Sequence, residues 1–280
     1  MSDAVEIRVK KNHGGYDLFD VEKLKSALNR SGANHTEINA IIEQLLPRLY
    51  DGITTKKIYQ IAYGLLRKCS HRVAGRYRLK KAIMELGPTG YPFEKFVGKL
   101  FEADGYKAVT GVQLEGKCVG HEVDVVAEKG NKKYMVECKF HSDTRKKSDV
   151  KVALYIQSRF LDVSAKWKEE DNNPQLIYKG MVVTNTRFSE DAMQFGKCAG
   201  LKVVSWDYPQ GNSLKDWIDR SGYHPVTSLN SLRKKEKQIL LEEGIVLCRQ
   251  LAKDFSLLNK QNLSNTRIRK IKQETLDLIS

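Results

Sequence analysis

The segment His121–His141, HEVDVVAEKGNKKYMVECKFH, carries an aspartate, a basic turn, and then a glutamate and a lysine two apart inside an apolar run. Side chains two apart along a strand share a face. Tyr134, Val136, Cys138 and Phe140 therefore form one side of YMVECKF, and Met135, Glu137 and Lys139 the other. The same rule sets Asp124 of EVDVVA beside Glu122, opposite Val123 and Val125. Closing the two strands as a hairpin through EKGNKK lets Asp124 and Glu137 converge. Two convergent carboxylates are an oxygen-ligand site for Mg2+ (or Mn2+), which keeps some waters and completes its shell with a substrate phosphate. Such an ion neutralises the phosphate and lowers the pKa of a bound water. Lys139 would stabilise the developing negative charge. Phosphodiester hydrolysis needs these three parts. The same Glu137–Lys139 pair also reads as an ordinary ion pair on a solvated sheet face, since short Asp…Glu-x-Lys patterns arise often by chance.

The surrounding elements have to position these groups. A helix, FEKFVGKLFEADGY, carries Glu94 and is closed by Gly105. Strands are expected around Lys107–Val112, Glu122–Ala127 and Tyr134–Phe140. A helix over Asp149–Val163 with Lys151, Tyr155 and Gln157 follows, then a strand at GMVVTN, a helix at SEDAMQFGKCAG and a strand at LKVVSW. Strands alternating with helices predict a mixed α/β sheet. Upstream, alternating Val5, Ile7 and Val9, a Gly-Gly turn and a second short strand predict a β-hairpin. Helices come next, with Asp20 and Thr54 or Thr55 as caps, up to the GPTGYP turn. DYPQGNSLKDWIDRSGYHP reads as a boundary rich in Gly, Pro and Ser, and the tail from Pro225 as short helices. The divisions are 1–88, 89–208, a linker at 209–224, and 225–280. The fold class expected is multidomain α+β: a hairpin with a helical bundle, a central α/β mixed-sheet core and a small helical module.

With 280 residues, 41% hydrophobic and 29% charged, the chain has the mass for real cores. No stretch approaches the roughly 18 uncharged apolar residues of a membrane span. No signal peptide is evident at MSDAVEIRVKKN, so an intracellular, cytoplasmic protein is expected. The five cysteines show no CxxC pair, which speaks against a structural zinc site. A net charge of +14 favours a polyanionic partner through counterion release. Lys146, Lys147 and Lys151 are candidates for a DNA-facing rim. His121 and His141 read as hydrogen-bonded surface residues. Trp167, Trp206 and Trp217 read as packing residues, because no basic positions interleave them.

The stretch GYPFEKFVGKLFEADGY…GHEVDVVA…YMVECKFH…GMVVTNTRFSEDAMQFGKCAGLKVVSWD resembles the PD-(D/E)xK nuclease superfamily, in its Mrr-like restriction endonuclease branch, over residues 89–208. The resemblance implies a restriction-endonuclease-like core with Asp124 and Glu137 as metal ligands and Lys139 as the catalytic lysine. Glu94 matches an acidic residue assisting the metal site, and Gln157 a glutamine of the following helix. The family's usual proline before the aspartate is absent here.

Residues 4–86 resemble an ATP-cone, through Val9, Lys10, Lys11, Gly15, Phe19, Asp20 and Lys23 and, in the closing helix, Arg76, Tyr77 and Lys80. Lys11 stands where the signature has arginine, and the turn is altered. Val9, Lys10, Lys11 and Lys23 are then the expected contacts to ATP or dATP, with regulation through a homo-oligomer. The tail stretch TSLNSLRKKEKQILLEEGIVLCRQLAK resembles a helix-hairpin-helix, with Glu243, Gly244 and Ile245 at the turn and Val246 in place of the second glycine. A helical cap packed on the core reads equally well. The function implied is a Mg2+-dependent DNA endonuclease controlled by adenine nucleotide, for restriction or DNA processing. The alternatives are a non-cleaving, nucleotide-responsive DNA-binding regulator and a junction-resolving nuclease.

Overall fold

The computed structural model describes residues 7–279 apart from 12–13, 70–72, 75–76 and 172. Val5 of the first expected strand, Asn12 and His13 of the turn, and Arg76 of the closing helix lie outside the described residues.

The N-terminal hairpin forms from β1 (Arg8–Lys10) and β2 (Tyr16–Leu18), paired antiparallel. A two-residue strand, β3 (Ile53–Thr54), adds parallel to β1 on its other side. Three helices follow the hairpin: α1 (Val21–Arg30), α2 (His35–Leu45) and α3 (Thr55–Cys69). Their starts obey capping chemistry. Asp20 accepts from the amides of Glu22 and Lys23, and Asn34 and Glu37 form a reciprocal capping box. Val9, Leu28, Ile41, Leu45, Ile53 and Leu66 close a core of their own.

The centre is a five-stranded mixed sheet, ordered β10-β8-β6-β5-β4. Its strands are β4 (Lys107–Glu115), β5 (Gly120–Lys129), β6 (Lys132–Lys139), β8 (Ile177–Thr184) and β10 (Lys202–Val204). β4, β5 and β6 form an antiparallel meander, whereas β8 runs parallel to both β6 and β10. Two short strands, β7 (Lys147–Ser148) and β9 (Arg187–Phe188), pair apart from it. A short helix, α4 (Leu79–Met84), leads into α5 (Tyr91–Ala103), which covers one sheet face. There Phe93, Phe96 and Phe101 pack with Val125, Val136, Cys138 and Val183. The other face is covered by α6 (Val150–Glu170) and α7 (Glu190–Ala199), where Ile156 and Trp167 meet Val123, Met135 and Val182. The continuous apolar run of β8 follows from burial on both faces. Gly196 lets α7 lie directly on the sheet, because a Cβ there would come 2.9 Å from the carbonyl oxygen of Leu201.

The expected linker 209–224 is instead a helix for half its length, α8 (Leu214–Ser221). Ser213 and Asp216 form its capping box, and Leu214, Trp217 and Ile218 are buried at helical spacing. Turn-formers at 209–213 hid a short amphipathic helix. The tail consists of α9 (Lys234–Glu242), α10 (Cys248–Lys253), α11 (Ser256–Asn259) and α12 (Asn265–Ile279). Leu240, Leu251, Ile271 and Leu278 belong to the same core cluster as α5 and the sheet. The helical-cap reading therefore describes the tail. The helix-hairpin-helix expectation fails on geometry: the amides of Val246 and Leu247 donate to Gln250 Oε1 at 3.0 and 2.9 Å. They are not presented to a phosphate.

The segment around α4 ties all three parts together. Lys80 donates to the carbonyl oxygen of Asn185 at 2.7 Å, and Thr227 to that of Ala82 at 2.7 Å. Glu85 accepts from Arg78 at 3.2 Å and from buried Lys237 at 2.7 Å. Removing one partner of a buried pair strands the other charge. We expect Glu85→Ala to cost about 3 kcal/mol in urea denaturation. Lys81→Ala, on the exposed side of the same carboxylate, should cost under about 1 kcal/mol.

Candidate metal and catalytic site

Antiparallel β5 and β6 pair from Lys129↔Lys132 as far as Val125↔Val136, where their ladder stops. β6 continues along β8 to Lys139↔Thr184. The Cys138 N–H, left without a β5 carbonyl, donates instead to Asp124 Oδ2 at 2.6 Å. The two strands thus part at the point where Asp124 and Glu137 sit, and the aspartate side chain closes the gap.

The parting coincides with a reversal in which way the side chains face. Val125 and Ala127 pack under α5, whereas Val123 packs under α6. Sequence alternation placed Val123 and Val125 together. On β4 the residue opposite Asp124 is Gly111, whose φ of +64° lies in the left-handed region. β4 changes face at the same level, with Ala108 packed on the α5 side and Val112 on the α6 side, and glycine is the residue that adopts such a φ readily. On β6 the alternation holds: Tyr134, Val136, Cys138 and Phe140 meet the α5 side and Met135 the α6 side.

Glu137 is 6% exposed, and both its carboxylate oxygens are engaged. Lys139 Nζ donates to Oε1 at 2.6 Å and Arg159 Nη1 to Oε2 at 2.9 Å. Arg159, on α6, also donates to the carbonyl oxygen of Glu122. It is the site residue that sequence reasoning missed. Its signal was a lone cation between Ile156 and Val163 on an otherwise apolar helix stripe. Gln157 lies two residues away. Its Oε1 is buried and accepts no hydrogen bond among the described residues.

Glu94, in the first turn of α5, joins the cluster from the other side. Burial, followed by the charges of Asp124, Glu137 and Glu122, pushes its carboxyl up to about 7. Burial and Glu137 likewise push Asp124 up to about 6, against the opposing effects of the Cys138 N–H, Lys139 and Arg159. Burial and the same carboxylates raise the Cys138 thiol well above its ordinary value. The cluster is short of positive charge even with two cations in place, and carboxylate oxygens suit a hard divalent ion. Asp124 and Glu137 fit that role. Among the described residues no group of three or more His, Cys, Asp or Glu is arranged to hold a metal. Two carboxylates completed by waters and substrate oxygens match this arrangement.

The far end of β6 is locked by the TNT run of Thr184, Asn185 and Thr186, all fully buried. Thr184 Oγ1 donates to the Lys139 carbonyl oxygen at 2.7 Å. The Asn185 amide brackets His141, accepting from its N–H at 2.8 Å and donating to its carbonyl at 2.9 Å. Lys139 is therefore held by its backbone as well as by Glu137. The two histidines are hydrogen-bonded, His121 to Asp162 at 2.8 Å and His141 to Ser148 at 3.0 Å. Lys146, Lys147 and Lys151 are exposed.

In the N-terminal module a cavity of about 220 Å³ is lined by Val9, Lys11, Phe19, Lys23, Tyr59 and Tyr77 among others. Lys10 is exposed and is not among its lining residues, as expected next to Val9 on a strand. Lys11 pairs with Asp17 at 2.6 Å and Lys23 with Asp20 at 3.5 Å.

A carboxyl whose pKa is raised on folding costs stability once the pH exceeds its unfolded value near 3.8. That cost is absent at acid pH and grows as pH rises through about 6. Asp124→Asn keeps an oxygen for the Cys138 N–H and removes the charge. We expect the metal-free variant to gain on the order of 2 kcal/mol over wild type at pH 8 and little at pH 4. Thermal denaturation with and without Mg2+ checks this, since the ion should stabilise wild type alone.

Residues 87–218 match the family model described as restriction endonuclease, and residues 224–279 match that described as AF1548-like, C-terminal. Over 155 residues the chain is 35% identical to an uncharacterized protein of Archaeoglobus fulgidus, covering 55% of this chain and 83% of that one. The crystal structure of AF1548, a protein of unknown function, is similar with a TM-score of 0.55 at 32% identity, over 68% of this chain and 98% of that one. MspJI restriction endonuclease, solved with a 27-mer oligonucleotide, gives a TM-score of 0.31 at 14% identity, over 62% of this chain and 37% of that one. That last likeness is too slight to carry an argument. Extent and identity against the A. fulgidus protein and AF1548 are sufficient, and the chain belongs to the AF1548-like family, with a restriction endonuclease-like domain at its centre.

Proposed function

We propose that this protein is a metal-dependent endodeoxyribonuclease that hydrolyses DNA phosphodiester bonds. The observation that carries the reading is the meeting of Asp124, Glu137 and Lys139 where β5 parts from β6, inside the span that matches the restriction endonuclease model. Asp124 and Glu137 would hold Mg2+ or Mn2+. When bound, that ion supplies charge to the scissile phosphate and acidifies a water. Lys139, fixed by Glu137 and Thr184, places an ammonium beside the phosphate oxygens and stabilises charge that develops there. Glu94, poised near neutrality at about 7, is suited to taking up or returning a proton at its carboxylate. The exposed Lys146, Lys147 and Lys151 would meet the DNA backbone, consistent with the +14 charge.

The reading extends to control by ATP or dATP in the N-terminal module. Lys11 and Lys23 would trade their internal aspartates for phosphates, and the chain would change its homo-oligomeric state. The lining of that cavity by Val9, Lys11 and Lys23 supports this. A second reading, a non-cleaving nucleotide-responsive DNA-binding regulator, is favoured by one observation: cations already occupy both oxygens of Glu137.

Plasmid DNA incubated with Mg2+ separates the two. Cleavage should fall at least about 1,000-fold in Glu137→Ala, while a gel-shift shows DNA binding retained. Cleavage unchanged in Glu137→Ala would remove the site. DNA binding with no cleavage of plain, methylated or branched DNA would establish the regulator. For the module, calorimetry should show ATP or dATP binding weakened about tenfold in Lys23→Ala, as for one lost charge-assisted hydrogen bond.

A further inference from the structure

A second cavity lies between the N-terminal module and the central domain, with a volume of about 260 Å³. Arg30 of α1 and Tyr59 of α3 contribute from one side, Trp206 and Lys215 from the other, and Tyr77 and Lys80 from the α4 segment between them. Three cations and three aromatic rings thus face one space, with Asp219 as an exposed acid at its edge.

Lys80 makes this space unusual. Its Nζ lies 4.6 Å from the Trp206 ring centroid and donates to the carbonyl oxygen of Asn185, but it pairs with no carboxylate among the described residues. The acid whose charge acts on it, Asp207, accepts a hydrogen bond from Arg187 at 3.0 Å. A largely buried ammonium with one carbonyl and one π face has donors to spare, and burial lowers its pKa to about 8. Tyr59 and Tyr77 stack face to face at 4.8 Å and present a flat wall. Guanidinium and ammonium groups beside aromatic faces recognise phosphate joined to a planar ring. The volume lies near the small end of ligand sites, about 300 Å³ and upward, so the ligand is the size of one nucleotide.

We propose that this inter-domain cavity binds a nucleoside monophosphate, with its phosphate on Lys80, Arg30 and Lys215 and its base against the aromatic wall. The site adjoins the hairpin cavity, sharing Tyr59 and Tyr77 with it, and differs from it in its cations, which are Lys80, Arg30 and Lys215 in place of Lys11 and Lys23. It is separate from the carboxylate cluster. A ligand seated on Lys80 is one hydrogen bond from Asn185, whose side chain holds His141 at the end of the Lys139 strand.

The test is calorimetric titration of the full-length protein with AMP, and with inorganic phosphate in parallel. We expect one AMP per chain, weakened at least tenfold in Lys80→Gln and in Lys215→Gln and unchanged in Lys23→Ala. Inorganic phosphate, which lacks a ring, should bind at least tenfold more weakly. Circular dichroism checks folding. Should Lys80→Gln fail to fold, exposed Arg30→Gln takes its place beside Lys215→Gln. Absence of AMP binding would overturn the proposal, as would binding lost in Lys23→Ala but kept in the Lys80 and Lys215 variants. Phosphate bound as tightly as AMP would refute the assigned ligand class.

Discussion

The hydrogen bond from the Cys138 N–H to the Asp124 side chain is the point on which the central architecture turns. An antiparallel ladder that simply ran on would pair the Cys138 N–H with the carbonyl oxygen of Val123 and keep the strands together beside Asp124 and Glu137. Here the ladder ends one residue earlier, and a carboxylate oxygen takes the place of the missing carbonyl. The penalty for an unpaired buried amide is avoided, and two acidic side chains gain a gap they can share. At the same level Gly111 of the neighbouring strand has φ +64°, and beyond it Val112, Leu114 and Val123 pack on the α6 side.

Once opened, the gap poses an electrostatic problem that the rest of the domain answers. Three carboxylates from α5, β5 and β6 meet in partly buried surroundings, where like charges repel strongly. Lys139 and Arg159 neutralise Glu137 from its two sides. They leave Asp124 and Glu94 with carboxyls pushed up to about 6 and about 7. Clustered carboxyls held at raised pKa values are what marks this place as the candidate functional site. The TNT run then fixes the strand end with three fully buried polar side chains, so that Lys139 cannot drift from its carboxylate.

Much of this was readable from residue order alone, and the exceptions have definite causes. The two faces of β6 follow from period-two alternation, which holds wherever both neighbours stay paired. Asp20 announced its helix because side-chain capping is a local interaction. Alternation failed at Val123 and Val125, which pack on opposite faces of the sheet where β5 parts from β6, and nothing within EVDVVA records that. Strand β3 is two residues long, too short for any periodicity. Arg159 is 22 residues from Glu137, so their contact depends on how α6 crosses the sheet. In the tail, the Glu243–Gly244–Ile245 turn looked like a phosphate-binding hairpin, but its amides donate to the carbonyl oxygens of Ile239, Leu241 and Leu240, and Gln250 takes up those of Val246 and Leu247.

The most direct test of the central claim is crystallographic. Crystals soaked in Mn2+ and measured at the manganese edge should show an anomalous peak about 2.2 Å from oxygens of both Asp124 and Glu137. Arg159 should then have released Glu137 Oε2. A map with no peak at this position, and the Glu137–Arg159 pair intact at saturating Mn2+, would contradict the account.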